Sequence, residues 1–186
     1  MGSDPAPFFA NLFLYFYESK WLRNLQRSDL RRARSFINVF RFIDDLIALN
    51  DNKEFESCYK DIYPEELELG KENKGDQEAS FLDLNISIKN RMFQIALYDK
   101  RDSFPFSIVR MPFSSSNIPS SIFYSSIGAE ILRIARATSN QQSFLSSTRI
   151  LLKRMLKQGA HGKKVTIVLN KIYGRHNLCF NKFCKS

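Results

Sequence analysis

The sequence predicts an α+β chain in which a helix and two antiparallel hairpins come first and helices alone follow. Three observations predict it. Two apolar runs rich in β-branched and aromatic residues, 36–43 and 46–49, are separated by a pair of acids. A second pair of alternating runs, 81–88 and 92–98, turns at Lys89-Asn90-Arg91. From Pro112 the texture changes to a serine-rich stretch and then to helical periodicity. The expected organisation is a helix-and-hairpin part over 1–111, a helical part over 112–176 and a basic tail over 177–186.

At 186 residues and 44% hydrophobic composition the chain is long enough to bury a core, as one domain with or without an appended helical unit. Pro5 and Pro7 precede Phe8 to Glu18, apolar on nearly every side. That pattern predicts a helix with a proline in its first turn, buried all round. The apolar block from Phe8 to Tyr17 is about half of the ~20 residues a bilayer crossing needs, so no membrane partner is expected. After a basic connector carrying Arg31, Arg32 and Arg34, the first hairpin places Asp44-Asp45 at its tip.

A short helix is expected from Asp51 to Ile62, capped by Asp51 or Asn52 and ended before Pro64. Lys71 to Ser80, polar and near Gly70 and Gly75, reads as a loop. In the helical part Ser120 or Ser121 caps a helix running to Ala137. A second, Gln141 to Lys157, ends at Gly159, and a third, Lys164 to Tyr173, ends at Gly174.

Charge is distributed unevenly. The formal net charge is +9, and after Ser126 twelve Lys and Arg residues face Glu130 alone, a net of +11. The remaining 16 basic and 18 acidic residues leave the first part at −2, so only the second part has the electrostatics of a polyanion binder. Within the second of its helices Arg149, Lys153 and Lys157 recur every four residues with Arg154 beside them, opposite Phe144, Leu145, Leu151, Leu152, Met155 and Leu156. A solvated basic face is the alternative reading of that row.

Cys58, Cys179 and Cys184 form no even framework and no secretory pattern opens the chain, so a reducing intracellular compartment is expected. His176, Cys179 and Cys184 lack a near fourth ligand and match no strong zinc spacing.

Adjacent carboxylates at a tight turn between apolar strands repel one another, and a turn has easier residues available. A hard divalent cation would explain them: Mg²⁺ or Mn²⁺, held by carboxylate oxygen and bridging to substrate phosphates. A solvated acidic turn is the plain alternative.

Phe42-Ile43-Asp44-Asp45 between apolar strands resembles the aromatic-x-Asp-Asp signature of reverse transcriptases. Upstream, Met1-Gly2-Ser3-Asp4-Pro5-Ala6-Pro7-Phe8-Phe9-Ala10-Asn11-Leu12 resembles the glycine-containing turn that leads into the palm helix. Downstream, Phe81-Leu82-Asp83-Leu84 is similar to the primer-grip strand. With Tyr98-Asp99-Lys100-Arg101-Asp102, Ser116 to Ser120, and Ser126 to Glu130 followed by Arg133 to Ala137, the chain from Met1 to about His176 looks like the reverse transcriptase of Penelope-like retroelements.

The resemblance implies a partial polymerase palm, an antiparallel sheet with packed helices, followed by an all-helical thumb. Asp44 would be a ligand of catalytic metal and Asp45 a second carboxylate there, with Phe42 where many members have Tyr. Gly2 and Ser3 would lie beside nucleotide and template, and Asn11 on the palm helix near them. Lys74, with Lys71 an equal rival, would protonate the leaving pyrophosphate. Arg149, Lys153, Arg154 and Lys157 would hold the nucleic-acid backbone.

The implied activity is RNA-directed DNA polymerisation in a retrotransposon protein, on an RNA template and DNA primer with dNTP, in the nucleus. The implied fingers and first palm strand, with its aspartate, would precede Met1. The isolated chain is therefore expected to be inactive without that N-terminal half, and loss of the layer is expected to expose the Phe8 to Tyr17 helix. The second expectation is a catalytically dead remnant that binds nucleic acid through its basic helices.

Overall fold

A computed structural model describes residues 5–49, 53–73, 75–106 and 108–184. Among these are seven α-helices and two small antiparallel sheets, an α+β architecture, and no helix is long and apolar enough to cross a membrane. The chain divides into two compact units, Met1–Lys74 and Gly75–Ser186. The texture change read at Pro112 lies inside the second unit, shortly before its first helix, because the sheet of 78–97 packs with the helices that follow it.

In the first unit α1 (Ala6–Ser28) starts with proline in its first turn, as expected. Asp29 stops it and caps the next helix, α2 (Leu30–Ser35), its carboxylate accepting from the Arg32 backbone N–H at 2.9 Å. A single 3-10 turn over Phe36–Asn38 replaces the beginning of the predicted first strand. The hairpin is then β1 (Val39–Phe42) against β2 (Asp45–Ala48), in the register Val39↔Ala48 to Phe42↔Asp45. Helix α3 (Glu54–Ile62) has buried Phe55, Cys58 and Ile62 on one face, packed with Trp21, Phe36, Val39, Leu46 and Ala48. Lys53, in the left-handed region at φ 67°, precedes it; the predicted caps Asp51 and Asn52 lie outside the described residues.

The expected all-round burial of α1 is overturned. It contains no buried residue, and Phe8, Phe9, Leu12, Phe13, Tyr15 and Phe16 are exposed. Partial cover follows mainly one stripe, Leu14, Tyr17, Glu18, Trp21 and Leu25. A two-stranded hairpin and a short helix can shield one side of a 23-residue helix, and an apolar sequence does not itself supply more layers.

In the second unit β3 (Glu78–Phe81), β4 (Leu84–Lys89) and β5 (Met92–Leu97) form a meander in that order. The β4–β5 turn has Asn90 and Arg91 both at positive φ, 52° and 60°, the pattern of a type I′ hairpin turn. Residues 78–80 of strand β3 fall in the stretch read as loop. Its ladder alternates the polar pairs Glu78–Ser87 and Ser80–Asn85 with Ala79–Ile86 and Phe81–Leu84, and the small Ala79 leaves the alternation faint in the sequence.

Four helices follow: α4 (Ser120–Ala137), α5 (Gln141–Lys157), α6 (Gly162–Arg175) and α7 (Asn177–Asn181). The centre is α4, whose Phe123, Ile127, Ile131, Ile134 and Ala135 are buried at helical spacing. Neither Ser120 nor Ser121 caps it; Pro119 holds the cap position without a side-chain bond. Asn140 caps α5, accepting from the Ser143 N–H at 2.8 Å. Gly159 at φ +89° ends it in a Schellman turn, with Gly159 N–H to Leu156 carbonyl and Ala160 N–H to Met155 carbonyl. Gly174 does not stop α6, which runs on to Arg175.

At Gly128 an added Cβ would meet Val168 and Ile172, so the missing side chain is what lets α6 lie close on α4. The segment read as a basic tail is also packed. Phe180 and Phe183 are buried, Phe183 stacks on Phe144 at 4.6 Å, and the Lys182 ammonium donates to the Thr138 carbonyl at 2.7 Å. Two aromatics three residues apart outweigh the lysines around them in fixing this segment.

Ile131, 1% exposed at the centre of α4, anchors this core. Ile131→Ala is expected to lower unfolding free energy by about 2–5 kcal/mol. Ile167→Ala, at a position 65% exposed on α6, should change it by less than about 0.5 kcal/mol. Urea denaturation of the two variants checks the contrast.

Candidate functional site

The first hairpin turns over two residues, Ile43 and Asp44, since Phe42 pairs directly with Asp45. Ile43 has φ 55°, a left-handed conformation that costs a β-branched residue about 1–3 kcal/mol. Arg41 holds that conformation in place. It follows Val39 by two residues, so it shares the strand face that looks toward the packed side of the unit.

The guanidinium of Arg41 donates to the Ile43 carbonyl at 3.0 Å, to Glu18 through Nε at 2.6 Å and a second nitrogen at 3.1 Å, and to the Asn11 side-chain oxygen at 2.8 Å. Glu18 also accepts from the Tyr63 hydroxyl at 2.8 Å. One planar fork thus fastens the turn to two positions of α1, seven residues apart, with Tyr63 completing the carboxylate's bonds. Burial, followed by its bond to Glu18, raises the Tyr63 hydroxyl well above its ordinary pKa, so it stays a donor.

At the tip Asp44 and Asp45 are exposed, and among the described residues neither carboxylate has an ion-pair or side-chain hydrogen-bond partner. Phe42, 55% exposed, stands beside Asp45 as its cross-strand partner. A comparable turn at Leu82-Asp83, with Leu82 at φ 54°, is treated differently: Arg133 donates to the Asp83 carboxylate at 2.9 Å. The fold neutralises one acidic hairpin tip and leaves the other bare.

Comparison with protein-family models, curated proteins and solved structures finds no match.

The other predicted site residues distribute as follows. Asn11 reaches the hairpin through Arg41. Gly2, Ser3 and Lys74 lie outside the described residues. Lys71, the rival to Lys74, pairs with Glu56 at 3.3 Å. Phe81-Leu82-Asp83-Leu84 is not a strand segment: Phe81 ends β3, Leu82 and Asp83 form the turn, and Leu84 begins β4. Among the described residues no group of three or more His, Cys, Asp or Glu side chains is placed to hold a metal ion. Asp44 and Asp45 therefore offer hard oxygen ligands that suit Mg²⁺ or Mn²⁺ in kind but form only part of a coordination set.

On α5, Arg149, Lys153 and Lys157 are exposed in a row, whereas Arg154 turns away and donates to Asp99 at 2.7 Å. Leu145 and Leu156 are exposed, not part of the apolar side expected to include them. Leu145 precedes Arg149 by one helical row, so it continues the basic face, while the packed face is Leu151 and Met155 with Phe144 and Leu152 at its margin.

Sequence reasoning missed Arg41, Glu18 and Tyr63. A signal existed: one arginine inside an apolar strand and one acid inside an apolar helix are the pair expected to meet when the two elements pack. Arg41→Ala is expected to destabilise the first unit by about 1–3 kcal/mol, because half-buried Glu18 loses a bidentate partner. Arg41→Lys should recover only part of this, since one ammonium cannot bond Glu18, Asn11 and the Ile43 carbonyl in the same planar geometry. Chemical denaturation, with amide shifts of Ile43 and Asp44 reporting the turn, measures both.

Proposed function

We propose that the 39–48 hairpin supplies two carboxylates of a divalent-metal site for nucleotidyl transfer, in a reverse transcriptase fragment of the Penelope-like kind. The observation that carries this reading is the bare pair of acids on a turn braced from behind. Strain at Ile43 and a four-way arginine clamp are an expensive way to build a solvated turn, and they fix where the two acids stand. In the proposed reaction Asp44 and Asp45 would bind Mg²⁺ or Mn²⁺, which would neutralise the triphosphate and stabilise the entering and leaving oxygens. The chain's own part is to hold two hard ligands at a fixed separation beside the Phe42 ring. RNA template, DNA primer and dNTP are the proposed partners. On this reading the first unit corresponds to part of a palm and the helices of the second to a thumb, in a nuclear retrotransposon protein.

Because two carboxylates from one tip do not span two ions, a further acidic ligand must come from elsewhere for turnover. Substoichiometric Mn²⁺ added to the isotope-labelled chain is expected to broaden the amide signals of Phe42 to Leu46 first, and Asp44→Asn with Asp45→Asn to remove that effect. Broadening centred instead on the acidic Glu65 to Glu72 segment would defeat the metal assignment. Primer extension by the chain alone is expected to be absent; Mg²⁺-dependent synthesis that disappears in Asp44→Ala would show that no further ligand is needed.

The exposed Arg149, Lys153 and Lys157 row favours a second reading, nucleic-acid binding without catalysis. Changing all three to Glu is expected to reduce duplex binding by at least about tenfold at low salt while Asp44→Ala leaves it unchanged. Equal affinity of the triple variant and the native chain in a filter-binding titration would eliminate this reading.

A further inference from the structure

The second unit contains a cleft of about 180 Å³ between the irregular segment that follows β5 and the C-terminal half of α5. Four cations line it, Arg101, Arg110, Arg154 and Lys157, with Glu130 the lining carboxylate. Its wall is fixed by charge pairing. Asp99 accepts a two-pronged contact from Arg101, and Arg154 donates to the same carboxylate at 2.7 Å; Arg133 and, more distantly, Arg110 at 3.7 Å flank Glu130. Arg101's bonds hold Asp99 well below the usual carboxylate range, so that carboxylate stays ionised beside the arginines.

Among the described residues this network joins the cations Arg101, Arg110, Arg133 and Arg154 to the acids Asp83, Asp99 and Glu130, and the less engaged cations lie at the open side. Arg110 is 55% exposed and contributes only the long contact to Glu130, and Lys157 is exposed at the end of the α5 row. The same segment presents a pair of aromatic rings to solvent. Phe104 and Phe106, 49% and 62% exposed, contact each other at 5.4 Å, three residues after Arg101 and two before Ile108, both of which line the cleft.

Cations grouped around half-buried carboxylates, next to open aromatic rings in the segment after β5, match the two chemical parts of a single-stranded nucleic acid. We propose that this cleft binds single-stranded nucleic acid, its phosphates at Arg110 and Lys157 and its bases stacked on Phe104 and Phe106. The Arg149 and Lys153 row leads into it along α5 and extends the backbone contact. A duplex hides its base faces and cannot use the rings, and an acidic peptide has no planar groups to stack, so both should bind less well. The proposal stands on the second unit alone and does not require a metal at the hairpin.

Fluorescence anisotropy of the full chain with a labelled oligothymidylate of about 12 nucleotides tests it, beside an abasic strand of equal length, a blunt duplex and polyglutamate as competitors. The thymidylate strand is expected to bind at least about tenfold more tightly than the abasic strand. Phe104→Ser with Phe106→Ser should lose at least that factor for thymidylate and leave the abasic strand unchanged. Arg110→Glu with Lys157→Glu should weaken both, while Ile167→Ala, at an exposed position of α6 outside the cleft, weakens neither. These positions are exposed, so circular dichroism and melting should match the native chain. Equal affinity for thymidylate and abasic strands, no effect of the double serine variant, tighter duplex binding, or displacement by polyglutamate as effective as by the strand would overturn the proposal.

Discussion

The geometry of the first unit depends on the Arg41 guanidinium. A two-residue hairpin with an isoleucine at positive φ is unfavourable by itself, and a lone pair of strands is marginal in water. Arg41 offsets both by tying the turn's carbonyl to α1 through Glu18 and Asn11. The arrangement is half-buried, which matters: the desolvated fork has few competing waters, yet Glu18 is fully bonded by Arg41 and Tyr63, so no charge is left stranded. Behind this network α3 supplies the apolar contacts, and in front of it the acids stand clear.

In the second unit the organising element is α4, and the charged network follows from its placement. Its buried face gathers α5, α6 and α7, and its other face presents Glu130 and Arg133 to the sheet and the segment beyond it. Ser139 closes the arrangement on the strand side. Its N–H donates to the Ile95 carbonyl at 2.9 Å and its hydroxyl accepts from the Ile95 N–H at 2.9 Å, so the edge of β5 is occupied where the helices begin their second leg. The arginines of the cleft are therefore set by secondary structure on two sides, α5 on one and the stretch after β5 on the other.

How much of this was legible in the sequence depended on whether the signal was local. The Asp44-Asp45 hairpin, the β4–β5 turn and the Gly159 stop were readable because a turn or a glycine leaves its mark within a few residues. Strand β3 escaped because Ala79 is its one inward residue before Phe81, too faint an alternation to mark a strand, and the Phe180 and Phe183 anchors escaped because the lysines and asparagines around them looked like a tail. The buried state of α1 was misjudged for a different reason. Apolar composition states what a helix could cover, while its actual cover is decided by what other layers are present. Arg41 and Glu18 meet across 23 residues, and no periodicity encodes such a meeting.

The unmatched carboxylates at the hairpin tip make that corner a sign filter. Two adjacent negative charges in solvent repel polyphosphate, and among the described residues no side-chain cation pairs with either of them. On the proposed reading a multivalent cation would offset that repulsion, so that anion and metal would approach this corner together.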